Sequence, residues 1–283
     1  MSNIEKSLMR TIFVDWRLGR IIMFIMITGS VAYGFGSSLM NVLLASILGA
    51  SVSASGFYLD YLGDYNRDKE SGKLSNPIAK GVISPKSMTI IVGILMCVNV
   101  FIAFIINILI LIPIGCIILI ILGLNYGILN TPLLRAFSLG ALQGLYVIIG
   151  ALTAEIFNLS VIFVAIFLFF AMTGGRVLGD ARDFLHDQKT DTVTIPKKYG
   201  LKWGSYFLLV NEIFAYTFAV LSYFIGNFNV GYLICVILII LFGLPITLVF
   251  VRNPTPKTGN LVNMLSFGFL GMLFIIGMVL GNI

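Results

Sequence analysis

The sequence predicts an all-α integral membrane protein: one membrane domain spanning 1–283, with nine transmembrane helices in a bundle around a central cavity and two Asp-rich motifs at the cytoplasmic end. Three observations predict it. Of the 283 residues, 59% are hydrophobic and only 11% charged, whereas soluble domains carry about 25% charged residues. The apolar residues gather into nine runs, 21–39, 40–59, 88–106, 109–125, 138–154, 159–178, 203–225, 230–250 and 261–282, and a helix crosses a bilayer in about 20 residues. With those runs alternating in direction, all 18 Lys and Arg fall on one side. Backbone groups in hydrocarbon must bond within their own segment, and the alternation of a barrel strand is absent, so the runs are helices.

Residues 4–16, "IEKSLMRTIFVDW", read either as a surface helix with Ile4, Leu8, Ile12 and Trp16 toward lipid or as a frayed polar leader. The first span has no small-residue cleavage pattern after it and reads as retained. The second runs into "YLDYLGDYNRDKESGKLSNPIAKGVIS", residues 58–84. The third and fourth lie so close that a tight turn must join them. The sixth runs into "GRVLGDARDFLHDQKTDTVTIPKKYG", residues 175–200. Glu212, beside Asn211, lies deep in the seventh, where an ionisable group faces either a polar cavity or a hydrogen-bond partner on another helix. Pro113 and Pro245 mark helix ends or kinks. Cys97, Cys116 and Cys235 lie inside spans without metal-ligand spacing and read as apolar packing residues.

The charged side carries Lys6, Arg10, Arg17 and Arg20 before the first span, then Arg67, Lys69, Lys73, Lys80 and Lys86, then Arg135. Further on come Arg176, Arg182, Lys189, Lys197, Lys198 and Lys202, and finally Arg252 and Lys257. The opposite loops, "GFGSS", "NIL", "AEIFN" and "GNFN", carry none. Excess positive charge marks the cytoplasmic face. The expectation is a multi-pass protein of the cell membrane, with the N-terminus and both Asp motifs cytoplasmic and the C-terminus outside. The net charge of +6 is thereby a topology signal and no sign of nucleic acid.

Eight of the twelve acidic residues lie in the two quoted stretches. Asp60, Asp64 and Asp68 are four apart, and Asp180, Asp183 and Asp187 are three and four apart, so each set shares one face of a helix. Asp64, Asp68, Pro77 and Gly81 match Asp183, Asp187, Pro196 and Gly200 at a constant offset of 119. That suggests an internal repeat relating 60–81 to 180–200. Crowded carboxylates share protons or bind cations. All-oxygen donors suit Mg²⁺, Mn²⁺ or Ca²⁺, and Mg²⁺ commonly joins a few carboxylates to substrate phosphates. Arg67, Lys80, Arg182, Lys197 and Lys198 stand near to hold the remaining phosphate charge. A diphosphate at the mouth of an apolar cavity implies an amphiphile, an isoprenoid diphosphate. The plain alternative is that these acids solvate loops and pair with the lysines.

At these stretches the sequence resembles the UbiA superfamily of intramembrane prenyltransferases, which has nine helices and Asp-rich motifs after helices two and six. The second motif, D-x-x-D-x-x-x-D, is complete as Asp180, Asp183 and Asp187, followed by "TIPKKYG". The first, N-D-x-x-D-x-x-x-D, keeps Asp64, Asp68 and "NPIAKGVIS" but has Asp60 at the Asn position and Tyr61 at the first Asp. "NYGILNTPLLRAFSLGALQG", residues 125–144, resembles the family's loop between helices four and five, with Tyr126 and Arg135 as substrate-facing candidates. The resemblance implies transfer of a prenyl group from a prenyl diphosphate to a lipophilic acceptor, aromatic or lipid, with Mg²⁺ as cofactor. It implies Asp60, Asp64, Asp68, Asp180, Asp183 and Asp187 as metal ligands. Asp64, Asp68, Asp183, Asp187 and Tyr126 are the catalytic candidates, and Arg67, Lys80, Arg135, Arg182, Lys197 and Lys198 the diphosphate-binding ones.

Tyr61 and Tyr65 are further candidates for substrate contact. Asn125, Gln143, Arg17 and Arg20 stand open between packing, topology and site, and His186 reads as a solvated loop residue. Two other functions fit the sequence: a UbiA-type terpene cyclase, and a cation-coupled secondary transporter with parallel repeats.

Overall fold

The structure, a computed structural model, describes residues 17–70, 76–188 and 193–282. The stretch 4–16 and the side chains of Lys6, Arg10, Lys73 and Lys189 lie outside them. The described residues form helices α1 (Leu18–Gly34), α2 (Leu39–Gly63), α3 (Tyr65–Glu70), α4 (Pro85–Ile106), α5 (Leu111–Asn125), α6 (Pro132–Thr153) and α7 (Leu159–Arg182). After these come α8 (Phe184–Asp187), α9 (Ile195–Tyr199), α10 (Leu201–Gly226), α11 (Val230–Arg252), α12 (Pro256–Leu265) and α13 (Gly271–Leu280). A 3₁₀ turn, Ile108–Ile110, leads into α5, and a π turn, Ser266–Leu270, joins α12 to α13.

Eight of these segments are long and apolar enough to cross a membrane: α2, α4, the 3₁₀ turn with α5, α6, α7, α10, α11 and α12 with α13. The first helix, α1, is apolar but 17 residues long. The chain is an integral membrane protein. Several of its helices start where a side chain satisfies a free amide of the first turn. Ser84, Thr131 and Thr255 each accept from the backbone N–H three residues on, and each is followed by Pro at the first helical position. These polar caps extend the helices beyond the apolar runs. α6 begins at Pro132 rather than near 138, which moves Arg135 from a loop into its first turn. Pro113 sits in the first turn of α5 and Pro245 inside α11.

The bundle is built around α7, which packs most extensively on α10 and α6 and also meets α12. α1 packs on α2, α6 and α13. In lipid such contacts rely on close approach at small residues. A Cβ added at Gly140 of α6 would stand 2.5 Å from the Phe169 carbonyl of α7 and on top of Thr173. Among the core side chains, Phe24, Val31, Leu48, Val147, Val164 and Met278 fill the centre between α1, α2, α6, α7 and α13.

Candidate active site

The first motif is a helix end with a break in it. α2 stops at Gly63, and Asp64 is its C-cap at φ −85, ψ −4. The uninterrupted helical face expected over Asp60, Asp64 and Asp68 is corrected in that respect, because the chain turns at Asp64 before α3. Register survives the break: Asp64 N–H donates to the Asp60 carbonyl at 2.9 Å, and Asp68 N–H to the Asp64 carbonyl at 2.8 Å. The acids therefore still follow one another a turn apart. Asp68 is 3% exposed and accepts from Asn76 Nδ2 at 3.0 Å. The same amide donates to the Tyr61 carbonyl at 3.0 Å, while its oxygen accepts from Ile78 N–H at 3.0 Å. Asp60 is held by Arg17, with Nη1 3.0 Å from Oδ2. Lys80 sits half-buried on the turn that Asn76 opens, closed by Gly81 at φ +74, a conformation that favours glycine.

The second motif repeats the construction. α7 stops at Arg182, and Asp183 is its C-cap at φ −88, ψ 5. Asp183 N–H donates to the Gly179 carbonyl at 3.1 Å and Asp187 N–H to the Asp183 carbonyl at 2.9 Å. Asp180, 5% exposed, pairs with Arg176 one turn back at 2.8 Å. Arg182 grips Asp183 with two bonds of 2.7 Å each. Asp187 is buried, and burial pushes its carboxyl above the usual range. Repulsion from Asp180 and Asp183 adds to the rise, while Arg176 and Arg135 oppose it. Thr194 caps α9, which carries Lys197 half-buried and Lys198 exposed, and Gly200 closes the turn at φ +89.

Charges from five helices come within electrostatic reach of one another here. Arg135 of α6 interacts with Arg176, Asp180 and Asp187 of the second motif and with Asp60 of the first. Arg20 of α1 feels Arg17, Arg176 and Arg182. The Nε atoms of Arg135 and Arg176 are buried and have no hydrogen-bond partner among the described residues, a state that buried donors seldom keep without some acceptor. Asn125, at the end of α5, donates to the Leu59 carbonyl at 3.3 Å and packs on Gly63, which sets that end beside the first motif. Tyr126, next along, is 79% exposed and takes part in none of these contacts. The side chains of Arg67 and His186 lie outside the described residues.

Among the described residues, no three His, Cys, Asp or Glu side chains stand close enough together to form a ready-made metal cage. Three of the expected ligands instead carry an arginine each: Asp60 with Arg17, Asp180 with Arg176 and Asp183 with Arg182. The donors are all carboxylate oxygens, with arginines beside them, so the residues present suit a hard dication brought in with an anion.

Sequence reasoning counted Arg176 only as topology, gave Arg17 no partner and passed over Asn76. The signal for Asn76 lay in "NPIAKG", where an Asn before Pro opens a turn. Glu212 has a structural explanation. It is buried and accepts from Tyr216 Oη at 3.0 Å and Thr247 Oγ1 at 2.5 Å, tying α10 to α11. Cys235 is buried, and Cys97 and Cys116 are not joined in disulfides.

No curated protein matches the chain in sequence. Solved structures match its fold. One is from work on a digeranylgeranylglyceryl phosphate synthase in membranes, with TM-score 0.75 and 21% identity over 96% of this chain and 98% of that one. A UbiA homologue from Aeropyrum pernix K1 has TM-score 0.75 and 15% identity over 92% and 97%. A UbiA homologue from Archaeoglobus fulgidus, bound to DMAPP and Mg²⁺, has TM-score 0.76 and 16% identity over 96% and 99%. The sequence itself matches the UbiA prenyltransferase family over residues 21–278, and the chain belongs to that family.

Proposed function

We propose that this protein transfers a prenyl group from a prenyl diphosphate to a lipophilic acceptor, aromatic or lipid, in a Mg²⁺-dependent reaction within the membrane. The observation that carries the reading is the buried, unpartnered Nε of Arg135 and of Arg176 beside carboxylates of both motifs. Donors and acids in one place suit a polyanion that arrives with cations. The archaeal homologue bound to DMAPP and Mg²⁺ supports the same reading.

Asp64 and Asp68 from the first motif and Asp180, Asp183 and Asp187 from the second would hold the metal, with Asp60 beside them. Mg²⁺, when bound, neutralises the departing diphosphate. Arg135, Arg176 and Arg182, with Lys80, Lys197 and Lys198 from the two turns and Arg67, bind and orient the phosphates. The allylic C–O bond breaks with both electrons leaving on diphosphate. The acceptor then forms the new bond to carbon and gives up a proton. The apolar bundle below the site keeps water from the cation. In this reading the nine spans place the N-terminus and both motifs on the cytoplasmic side and the C-terminus outside. The matched breaks at Asp64 and Asp183 and the matched glycines Gly81 and Gly200 favour an internal repeat. Glu212, which bridges helices, gives a transporter no free acid in mid-membrane at that position.

The test is turnover of purified protein with a series of prenyl diphosphates, with and without Mg²⁺. Diphosphate release should require Mg²⁺, and Asp64→Ala and Asp183→Ala should each lower it by at least about 10²-fold with the melting profile retained. Full activity in either variant removes that motif from the site. A cyclic hydrocarbon formed without acceptor would make the protein a cyclase instead.

A further inference from the structure

Arg17 is held in an unusual way. Its backbone lies in the left-handed region, φ +52 and ψ 30, at the residue before α1. A side chain with a Cβ is disfavoured there and stays only where its surroundings fix it. Here they do. The guanidinium bonds Asp60 at 3.0 Å and lies 4.5 Å from the ring centre of Tyr61 and 5.0 Å from that of Phe57. Positions 57, 60 and 61 are neighbours across one turn of α2, so a single planar cation covers all three. Tyr61 is 2% exposed, and a ring shielded from water attracts a cation more strongly.

These are the two positions where the first motif departs from the family pattern, and the structure gives both departures the same partner. We propose that Asp60 does not ligate metal: Arg17, Asp60 and Tyr61 form a clamp that positions the start of α1 against the first motif, leaving Asp64 and Asp68 as the carboxylates that end offers. The proposal rests on the metal-binding reading above. Asp180 and Asp183 also carry arginines, but those side chains are 33% and 44% exposed against 21% for Arg17, which is in addition pinned over two rings. A dication at Asp60 would therefore meet a charge that is held in place, and Coulomb repulsion opposes that. The aspartate and the tyrosine then act together. The acid answers the guanidinium's charge at its edge, and the ring covers its face. Arg17 and Asp60 are positioning residues, acting on the site through the seat of α1 on α2.

The experiment measures Mn²⁺ binding directly, by electron paramagnetic resonance on the full-length protein in detergent, for the unaltered chain and for Asp60→Asn, Arg17→Ala and Asp64→Asn. The clamp predicts that Asp60→Asn and Arg17→Ala bind Mn²⁺ as tightly as the unaltered chain, while Asp64→Asn weakens binding by about 10- to 100-fold. If Asp60→Asn weakens binding as much as Asp64→Asn does, Asp60 is a ligand and the proposal is overturned. If Asp64→Asn changes nothing, the metal reading itself fails, and the clamp is judged by its second arm.

That arm follows KM for geranyl diphosphate, or thermal stability if the protein does not turn over. Arg17→Ala, Asp60→Asn and their double variant should show one shared loss, with partial recovery in the charge-exchanged Arg17→Asp/Asp60→Arg protein. Independent, additive losses with no recovery would overturn the clamp. Arg17→Lys should retain only part of the unaltered chain's value, because an ammonium lacks the planar fork that lies over the rings.

Discussion

Asn76 joins the first motif to the turn behind it through bonds to Asp68, the Tyr61 carbonyl and the Ile78 amide, with none of its surface exposed. Removing a buried partner leaves the others desolvated and unsatisfied, at about 1–3 kcal/mol. Asn76→Ala should therefore lower the melting temperature and raise the Mg²⁺ requirement by about 10- to 100-fold, read by thermal unfolding and by titration of activity. An unchanged Mg²⁺ requirement would show that Asp68 needs no orienting partner. The aspartates were legible in the sequence because period and crowding mark them without any partner in view. Asn76, Arg17 and Arg176 were not, because their roles depend on which residue the turn or the neighbouring helix brings opposite them. Tyr126 shows the converse: a polar aromatic beside a motif-like stretch that the fold leaves exposed.

At the scale of the helix, placement of the site depends on how closely α6 approaches α7. Gly140 of α6 lies against the backbone of α7, and any side chain there pushes the helices apart. Arg135 stands five residues before it on α6, with Asp180 and Asp187 in its electrostatic reach. Gly140→Val should destabilise by about 1–3 kcal/mol through overpacking and should also raise KM for the diphosphate, because Arg135 moves with the helix. Melting curves and steady-state kinetics check both. A stability loss with KM intact would separate Arg135 from substrate binding. Hydropathy located the helices but set several of their ends short. Ser84–Pro85, Thr131–Pro132 and Thr255–Pro256 begin helices with polar residues that an apolar run omits. The breaks at Asp64 and Asp183 were hidden for a related reason: they keep helical register, so the period of the acids passes through them unchanged.

For the whole molecule, composition and the apolar runs were enough to read a membrane bundle, and the two acidic stretches mark the end where the site is proposed. What they did not contain was the pairing of that end, where arginines sit on Asp60, Asp180 and Asp183. The central claim is that the helix ends at Asp64 and Asp183 bind divalent cations together with a diphosphate. The most direct measurement is anomalous diffraction from crystals grown with Mn²⁺ and a non-hydrolysable prenyl thiodiphosphate. The account predicts manganese peaks bridged by the diphosphate, with Asp64 or Asp68 and Asp183 or Asp187 among the ligands and Arg135 and Arg176 on the phosphate oxygens. Manganese bound at only one of the two ends, or diphosphate bound away from both, would contradict it.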